Sequence, residues 1–333
     1  MKKGILLVNL GSPKSTNVED VREYLDEFLM DEKVIDYRYF FRYLLVKGII
    51  LKRRPQKSAE AYRSVWTKEG SPLIVITEKL QKKLQKIVDI PVEIGMRYAQ
   101  PSIESGIQKL VDMGVTDIIL LPLYPQYAMS TTETVIAKAE EVRKAKFPNI
   151  NIKFVGAFYN NSDYIHSLAK SISGHLPTEF DAILFSYHGV PERHLPKVDR
   201  NITKLVKNWA TDNGKPLFDI DYQQQCLRTT ELVRDKLGLP KEKVFTSFQS
   251  RLGKDKWIEP YTDATLEALP KKGVKKLAVC CPAFVSDCLE TLEEIAMEGK
   301  EEFLHAGGES FHYLPCLNDD DIFVNVVKNL CEV

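Results

Sequence analysis

The chain carries no excess of either charge: lysine plus arginine number 46, and aspartate plus glutamate also number 46. That balance excludes nucleic acid as an expected partner, because binding a phosphate backbone calls for a basic surplus. No run of roughly 18 apolar residues occurs, so no membrane-spanning helix is expected. The apolar stretch after Met1-Lys-Lys is too short for a secretory signal and reads instead as a first strand. Cysteine is scarce, with six in 333 residues and no CxxC pair. Cys280 and Cys281 are adjacent in an apolar run, while Cys226, Cys316 and Cys331 are scattered. Zinc and iron–sulfur sites lack their usual spacing here, so reduced, buried thiols in a cytoplasmic protein are expected.

What is present is an ordinary apolar share, 44%, in a chain longer than the usual single domain of about 100–200 residues. Two units are therefore expected. Short apolar runs at 4–10, 92–98, 117–123 and 152–158 are followed by others at 182–187, 243–248, 276–281 and 311–314. Helical patterns such as 102–113 and 261–269 lie between them. Strand–helix alternation predicts α/β architecture with doubly wound parallel sheets, four strands in each half. The halves resemble each other. Gly114-Val115 precedes a strand and then Pro125 to Glu133-Thr134; Gly273-Val274 precedes a strand and then Pro282 to Glu290-Thr291. Each segment runs ten residues from its proline to the threonine of its Glu-Thr pair. The expected organisation is a first unit at 1–177, a second at 178–318, and a final helix in 319–333 packing back on the first.

Segment 34–51 departs from this alternation. It is dense in Tyr37, Tyr39, Phe40, Phe41, Tyr43, Leu44, Leu45, Ile49, Ile50 and Leu51, and runs into Lys52-Arg53-Arg54. Either these side chains fill a core, or they form an exposed apolar lip beside a basic rim, suited to a flat ligand or a membrane surface.

The chemistry points to the second half. His188 ends the strand at 182–187 and is followed by Gly189-Val190-Pro191. In open parallel sheets, ligands occupy the crevice beyond the carboxyl ends of the strands. A histidine there can accept a proton near neutral pH or ligate a metal. Asp287, Glu290, Glu294 and Glu298 follow the strand at 276–281 at spacings of three, four and four. On an α-helix such a row drifts; a wider π-type turn would align its glutamates. Glu293, Glu301 and Glu302 are expected to be solvated. A neutral histidine with carboxylates suits Fe²⁺, and suits proton transfer equally.

Several segments together resemble the ferrochelatases, of bacterial type. They are Leu7-Val-Asn-Leu-Gly-Ser-Pro13, Lys52-Arg-Arg-Pro55 with Glu69-Gly-Ser-Pro72, Met96-Arg-Tyr98, and Tyr124-Pro-Gln-Tyr127 with Ser130-Thr-Thr132. Ser186-Tyr-His-Gly-Val-Pro191, Gln225-Cys226 with Thr229-Thr230, and Phe248-Gln-Ser-Arg-Leu-Gly253 with Trp257 continue the series. Phe284-Val-Ser-Asp287 with Leu289-Glu-Thr-Leu292, and Tyr313-Leu-Pro-Cys-Leu-Asn318, complete it.

The resemblance implies two Rossmann-like, chelatase-like units with a porphyrin cleft between them. It implies a lyase of haem biosynthesis that inserts Fe²⁺ into protoporphyrin IX and releases two protons. Coproporphyrin III as substrate is the alternative, and a haem- or porphyrin-binding protein without turnover is a further one. It assigns His188 and Glu290 as the catalytic and metal pair, with Glu294 and Glu298 as a row passing metal in or protons out. Arg54, Lys57, Ser71, Arg97, Tyr124, Ser130 and Trp257 become porphyrin contacts. Fe²⁺ is then a substrate, and no tightly held cofactor is implied. Two departures stand out: Cys288 occupies a position where many members have histidine, and Met129 one where animal enzymes have a cluster cysteine. No animal-type cysteine-rich extension follows Val333, so no iron–sulfur cluster and a monomer are expected. Peripheral contact at the inner face of the membrane, weak and reversible, is the last expectation.

Overall fold

The computed structural model describes residues 2–333 apart from 208, 213, 252 and 254, so Leu252 of the Phe248–Gly253 motif lies outside the described residues. Its strands are β1 (Lys3–Asn9), β2 (Val92–Met96), β3 (Asp117–Pro122), β4 (Asn151–Phe154), β5 (Ala182–His188), β6 (Thr211–Asp212), β7 (Lys215–Pro216), β8 (Val244–Gln249), β9 (Lys276–Cys280) and β10 (Ser310–Tyr313). The sequence places the eight long strands correctly; the run at 152–158 stops at Phe154 because Val155 and Gly156 leave the sheet. The short β6–β7 ribbon, antiparallel, had no apolar signature to betray it.

β1 pairs in parallel with β2 and β3, and β3 with β4. β5 pairs in parallel with β8 and β9, and β9 with β10. In order of appearance within each unit, both sheets read second, first, third, fourth. The internal resemblance in sequence is thus a repeat of topology. Ile5, Leu6, Leu7 and Val8 are all fully buried, as in a strand covered on both faces, and Ile183, Leu184 and Phe185 are their equivalents.

One apolar cluster joins the units: Ile5, Leu7 and Leu121 of the first belong with Ile183, Phe185 and Phe248 of the second. Helix Ser162–His175 packs on helix Tyr222–Leu237 across this junction. The terminal helix Asp321–Leu330 lies on Pro72–Gln85 and Ser162–His175, with Phe323 and Val327 fully buried. Lys83 holds its start through Asp319 and Asp321, and Lys153 its end through Glu332.

Each sheet reverses its strand order beside its first strand, and such a switch point opens a crevice at the carboxyl ends. In each unit an insertion follows that first strand. In the first it is helix Tyr39–Leu45 and the π turn Val46–Ile50; in the second it is the loop from Gly189 to the β6–β7 ribbon.

Candidate active site

His188 is the last residue of β5, at the switch point between β5 and β9. Its Nδ1 lies 2.6 Å from the Gly189 carbonyl oxygen. A carbonyl only accepts, so Nδ1 carries a hydrogen, and in the neutral ring Nε2 is the nitrogen that offers a lone pair to a proton or a metal. Gly189 permits this turn: a Cβ there would stand 3.0 Å from the Gln249 carbonyl oxygen and 3.1 Å from that of Ser250. Gln249, the register partner of His188, donates its amide to the Glu290 carbonyl oxygen at 3.1 Å. The sheet therefore anchors the start of the acidic helix beside the histidine.

That helix, Glu290–Gly299, is a π-helix for ten residues. Its wider turn brings Glu290, Glu294 and Glu298 nearly into line, which the α-helical spacing of the sequence does not. Glu290 and Glu294 are half-buried and Glu298 is exposed, so the row leads from His188 to solvent. Ser250 donates to both Glu294 carboxylate oxygens, at 2.9 and 2.8 Å. Burial raises the proton affinity of Glu294 above that of an ordinary carboxylate; the Glu290 charge adds to this, and His188 and Ser250 oppose it.

Two expectations need correction. Glu293 is half-buried rather than a solvated flank, and burial with the charges of Glu298 and Glu294 pushes its pKa up to about 7. Asp287 leaves the row altogether. It is buried and accepts from Tyr313, Thr291 and Asn318, so it fastens the loop before the helix. Glu301 and Glu302 are exposed, as expected. Among the described residues, no three His, Cys, Asp or Glu side chains gather as a metal cage. Glu290, Glu294 and Glu298 instead follow one another along the helix.

The first unit supplies the facing wall. Arg97, just beyond β2, is held by Asp31 at 2.5 Å and Thr134 at 2.7 Å, with its guanidinium 4.4 Å from the Tyr98 ring centre. Burial works against a charged Asp31, yet Arg97, Thr134, the Lys33 amide and Tyr98 together hold its pKa below the usual value. Tyr124 has a buried hydroxyl with no hydrogen-bond partner, and it feels Arg97 on one side and Glu290 on the other. Cys288, also buried, has its thiol pKa raised by desolvation and then by Glu290.

Arg54 and Lys57 are exposed on helix Leu51–Val65, and no ion pair to a carboxylate is found for either among the described residues. Lys57 faces the acidic helix closely enough to act on Glu293. Trp257 is half-buried, bridged to Pro191 and against Gly189. Ser130 is half-buried in the π turn Met129–Glu133. Ser71 is buried at the start of helix Pro72–Gln85, the least accessible of the expected rim groups.

Segment 34–51 is an exposed lip. Phe40 is 64% exposed, Leu44 49% and Ile49 54%. Only its inner side, with Val46, Ile50 and Leu51, joins the core beneath. Sequence reasoning missed Asp31, Thr134, Gln249 and Ser250. The last two lie inside a quoted motif, and the parallel pairing of β5 with β8 was the signal for Gln249.

The model of the ferrochelatase family matches residues 2–333. A ferrochelatase of Pseudomonas fluorescens (strain Pf0-1) is 49% identical over 331 residues, covering 98% of this chain and 97% of the relative. One from Ectopseudomonas mendocina (strain ymp) is 48% identical over 330 residues, covering 98% and 97%. The solved structure of SirB from Bacillus subtilis with Fe³⁺ superposes with a TM-score of 0.56 at 14% identity, covering 99% of this chain and 96% of that one. The sirohydrochlorin chelatase SirB of Bacillus subtilis subspecies spizizenii, in complex with cobalt, gives 0.55 at 11% identity, covering 100% and 94%. These structures share the fold. With the family match over nearly the whole length and relatives of almost half-identical sequence, the chain belongs to the ferrochelatase family.

Proposed function

We propose that this protein inserts Fe²⁺ into protoporphyrin IX, a lyase reaction of haem biosynthesis. The observation that carries this reading is the convergence of His188, Glu290 and Glu294 at one switch point, opposite Arg97 and Tyr124 of the other unit. A planar macrocycle needs a slot with acid–base groups at its centre and cations at its edge. His188 accepts a pyrrole proton on Nε2, and Glu290 accepts the second. The two protons released leave as iron takes the four nitrogens. Glu294, with its raised proton affinity, then passes protons along to Glu293, Glu298 and solvent. The same row serves Fe²⁺ arriving as substrate, since each carboxylate is a hard oxygen ligand.

Arg54 and Lys57 would meet the propionates at the rim, and Trp257 the ring face. The reaction needs no resident cofactor: the porphyrin supplies the ligands and iron is cargo. No helix among the described residues is long and apolar enough to cross a membrane. The exposed aromatics of the lip, beside Lys52 and Arg53, support weak peripheral binding at an anionic membrane face, where poorly soluble protoporphyrin resides. We read the protein as a cytoplasmic monomer in this role. The test is anaerobic turnover with Fe²⁺ and either protoporphyrin IX or coproporphyrin III, following haem formed. Preference for coproporphyrin would overturn the substrate assignment, and tight binding of either porphyrin without turnover would overturn the enzyme.

A further inference from the structure

The two insertions that follow the first strand of each unit reach each other at the mouth. Asp36, at the base of the lip, has a side chain only 9% exposed, and three basic side chains of the second unit converge on it. Arg193 and Lys197 pair with it directly, and His194 Nε2 lies 3.0 Å from its Oδ1. Burial and the flanking cations Arg193 and Lys197 lower the pKa of His194 to about 4, so near neutral pH the net pairing is two cations against one carboxylate. A second carboxylate completes it. Asp255 takes Arg193 at 2.9 Å and accepts from the Tyr37 hydroxyl at 3.1 Å. The Arg193 guanidinium also sits 5.2 Å from the Tyr37 ring centre. Arg42, buried, donates to the carbonyl oxygens of Ile35 and Tyr37, fixing the backbone on either side of Asp36.

The loop that Asp36 grips is paired with the segment that carries Trp257, a proposed porphyrin contact. The Glu192 amide donates to the Lys256 carbonyl oxygen at 2.9 Å, and the Ile258 amide to that of Val190 at 3.0 Å. Trp257 is bridged to Pro191 between these two bonds. His188 is placed differently: β5 and the Gly189–Gln249 contact hold it without help from the lip. Gly189 stays with His188, its amide donating to the Gln249 carbonyl oxygen at 2.7 Å, so movement of the loop from Pro191 onward displaces Trp257 and leaves His188 where it is.

We propose that Asp36 is a positioning residue that latches the lip to the 189–197 loop, and through it to the segment bearing Trp257, and so sets the width of the porphyrin slot. The inference rests on the ferrochelatase reading of the cleft. Arg193 is the partner whose loss has the same consequence from the other side. The latch acts on capture of the macrocycle and leaves the chemical step alone.

The test compares the full-length protein with Asp36→Asn, Asp36→Glu, Arg193→Gln and the Asp36→Asn/Arg193→Gln double variant, each checked for a cooperative melt. Asn keeps the shape of Asp36, and Arg193→Gln gives an independent arm should Asp36→Asn fail to fold. The expected KM for protoporphyrin IX rises at least about threefold in either single variant, with kcat within about twofold, and the double variant adds nothing further. Asp36→Glu should restore most of the affinity. Amide hydrogen exchange should accelerate together in 34–45 and 189–197 in both single variants. Faster exchange in one segment alone, or additive KM effects, would overturn the latch. A wild-type protein without iron insertion would sink the functional reading, while the exchange result would still decide the latch.

Discussion

Glu133 and Glu290 occupy the same place in the two units, each the glutamate of a Glu-Thr pair that follows the third strand of its sheet and lies within a π turn. Their fates differ. Glu133 is 2% exposed, bound by Lys33 at 2.7 Å, by the Tyr127 hydroxyl and by the Asp199 amide at 2.9 Å. Burial alone would lower the pKa of Lys33, yet Glu133 and Asp199 hold it above the usual value, so the pair is charged and satisfied. Among the described residues Glu290 has no such cation; it is half-buried and lies in line with Glu294. One copy of the repeat has neutralised its carboxylate and spends it on structure. The other leaves it open beside His188, where the proposed reaction would use it. On the proposed reading, the first unit keeps instead what would hold a macrocycle: Arg97, the rim cations and the lip.

The sharpest break of this comparison exchanges the two losses. His188→Ala and Glu290→Gln should each lower kcat by at least about 10²-fold, the scale of a positioned acid–base group, while melting stays near wild type. Glu133→Gln should do the reverse. It leaves Lys33, whose side chain is 16% exposed, with Asp199 at 3.5 Å as its remaining carboxylate among the described residues, and should cost about 1–3 kcal/mol of stability with kcat largely kept in the folded fraction. Denaturant unfolding and steady-state turnover on the same preparations decide. An active His188→Ala protein, or a Glu133→Gln protein of unchanged stability, would erase the distinction between the units.

The next effect lies along the acidic path. Glu294→Gln should cost about tenfold in kcat and Glu298→Gln less, because relay groups act after the positioned pair has taken the proton. Should Glu298→Gln prove the more damaging, the path would run in another order. Recognition comes below chemistry. Arg54→Ala should raise the porphyrin KM about 1.4- to fivefold, matching the roughly 0.2–1 kcal/mol of exposed ion pairs, with kcat unchanged. A fall in kcat alone would give the first unit a part in the chemistry.

Most of the fold was legible in the sequence, for physical reasons. Buried parallel strands are continuous apolar runs, so Ile5–Val8 and Ile183–Phe185 announced both sheets and their repeat. His188 stood out because Gly189 and Pro191 end its strand there. Polar contacts between distant segments were not legible. Asp31 with Arg97 is 66 residues apart, and Asp36 with Arg193 is 157, and no local pattern encodes such pairs. Asp287 was misplaced for a related reason: spacing along a helix says nothing about the partners, Tyr313 and Asn318, that draw it away. The lip was ambiguous because aromatic density fits a core or a ligand mouth equally well.

Glu293 offers a smaller test of the open carboxylates. Its folded pKa of about 7 exceeds the unfolded carboxylate value, so the folded state binds the extra proton between the two. Stability from this group is present in full below the unfolded value and is lost as pH rises through about 7. Glu293→Gln removes the titration. The difference in melting temperature, variant minus wild type, should therefore grow between pH 5 and 8. A constant difference would mean that Glu293 is as solvated as its spacing implied.

The smallest effects on stability should come from the lip, where the first unit's binding role is most exposed. Phe40, Leu44 and Ile49 each leave about half or more of their surface in solvent, at 64%, 49% and 54%. Replacing any of them by Ser should shift stability by no more than about 0.5 kcal/mol, as at other surface sites. Ile50, only 8% exposed and packed beneath them, is the control: Ile50→Ala should cost about 2–5 kcal/mol. The functional readout runs the other way. Co-sedimentation with anionic liposomes and capture of protoporphyrin from them should weaken in the three serine variants, in proportion to the apolar area removed. Unchanged capture with unchanged stability would leave the exposed aromatics without a role in delivery, and the macrocycle would have to arrive through water.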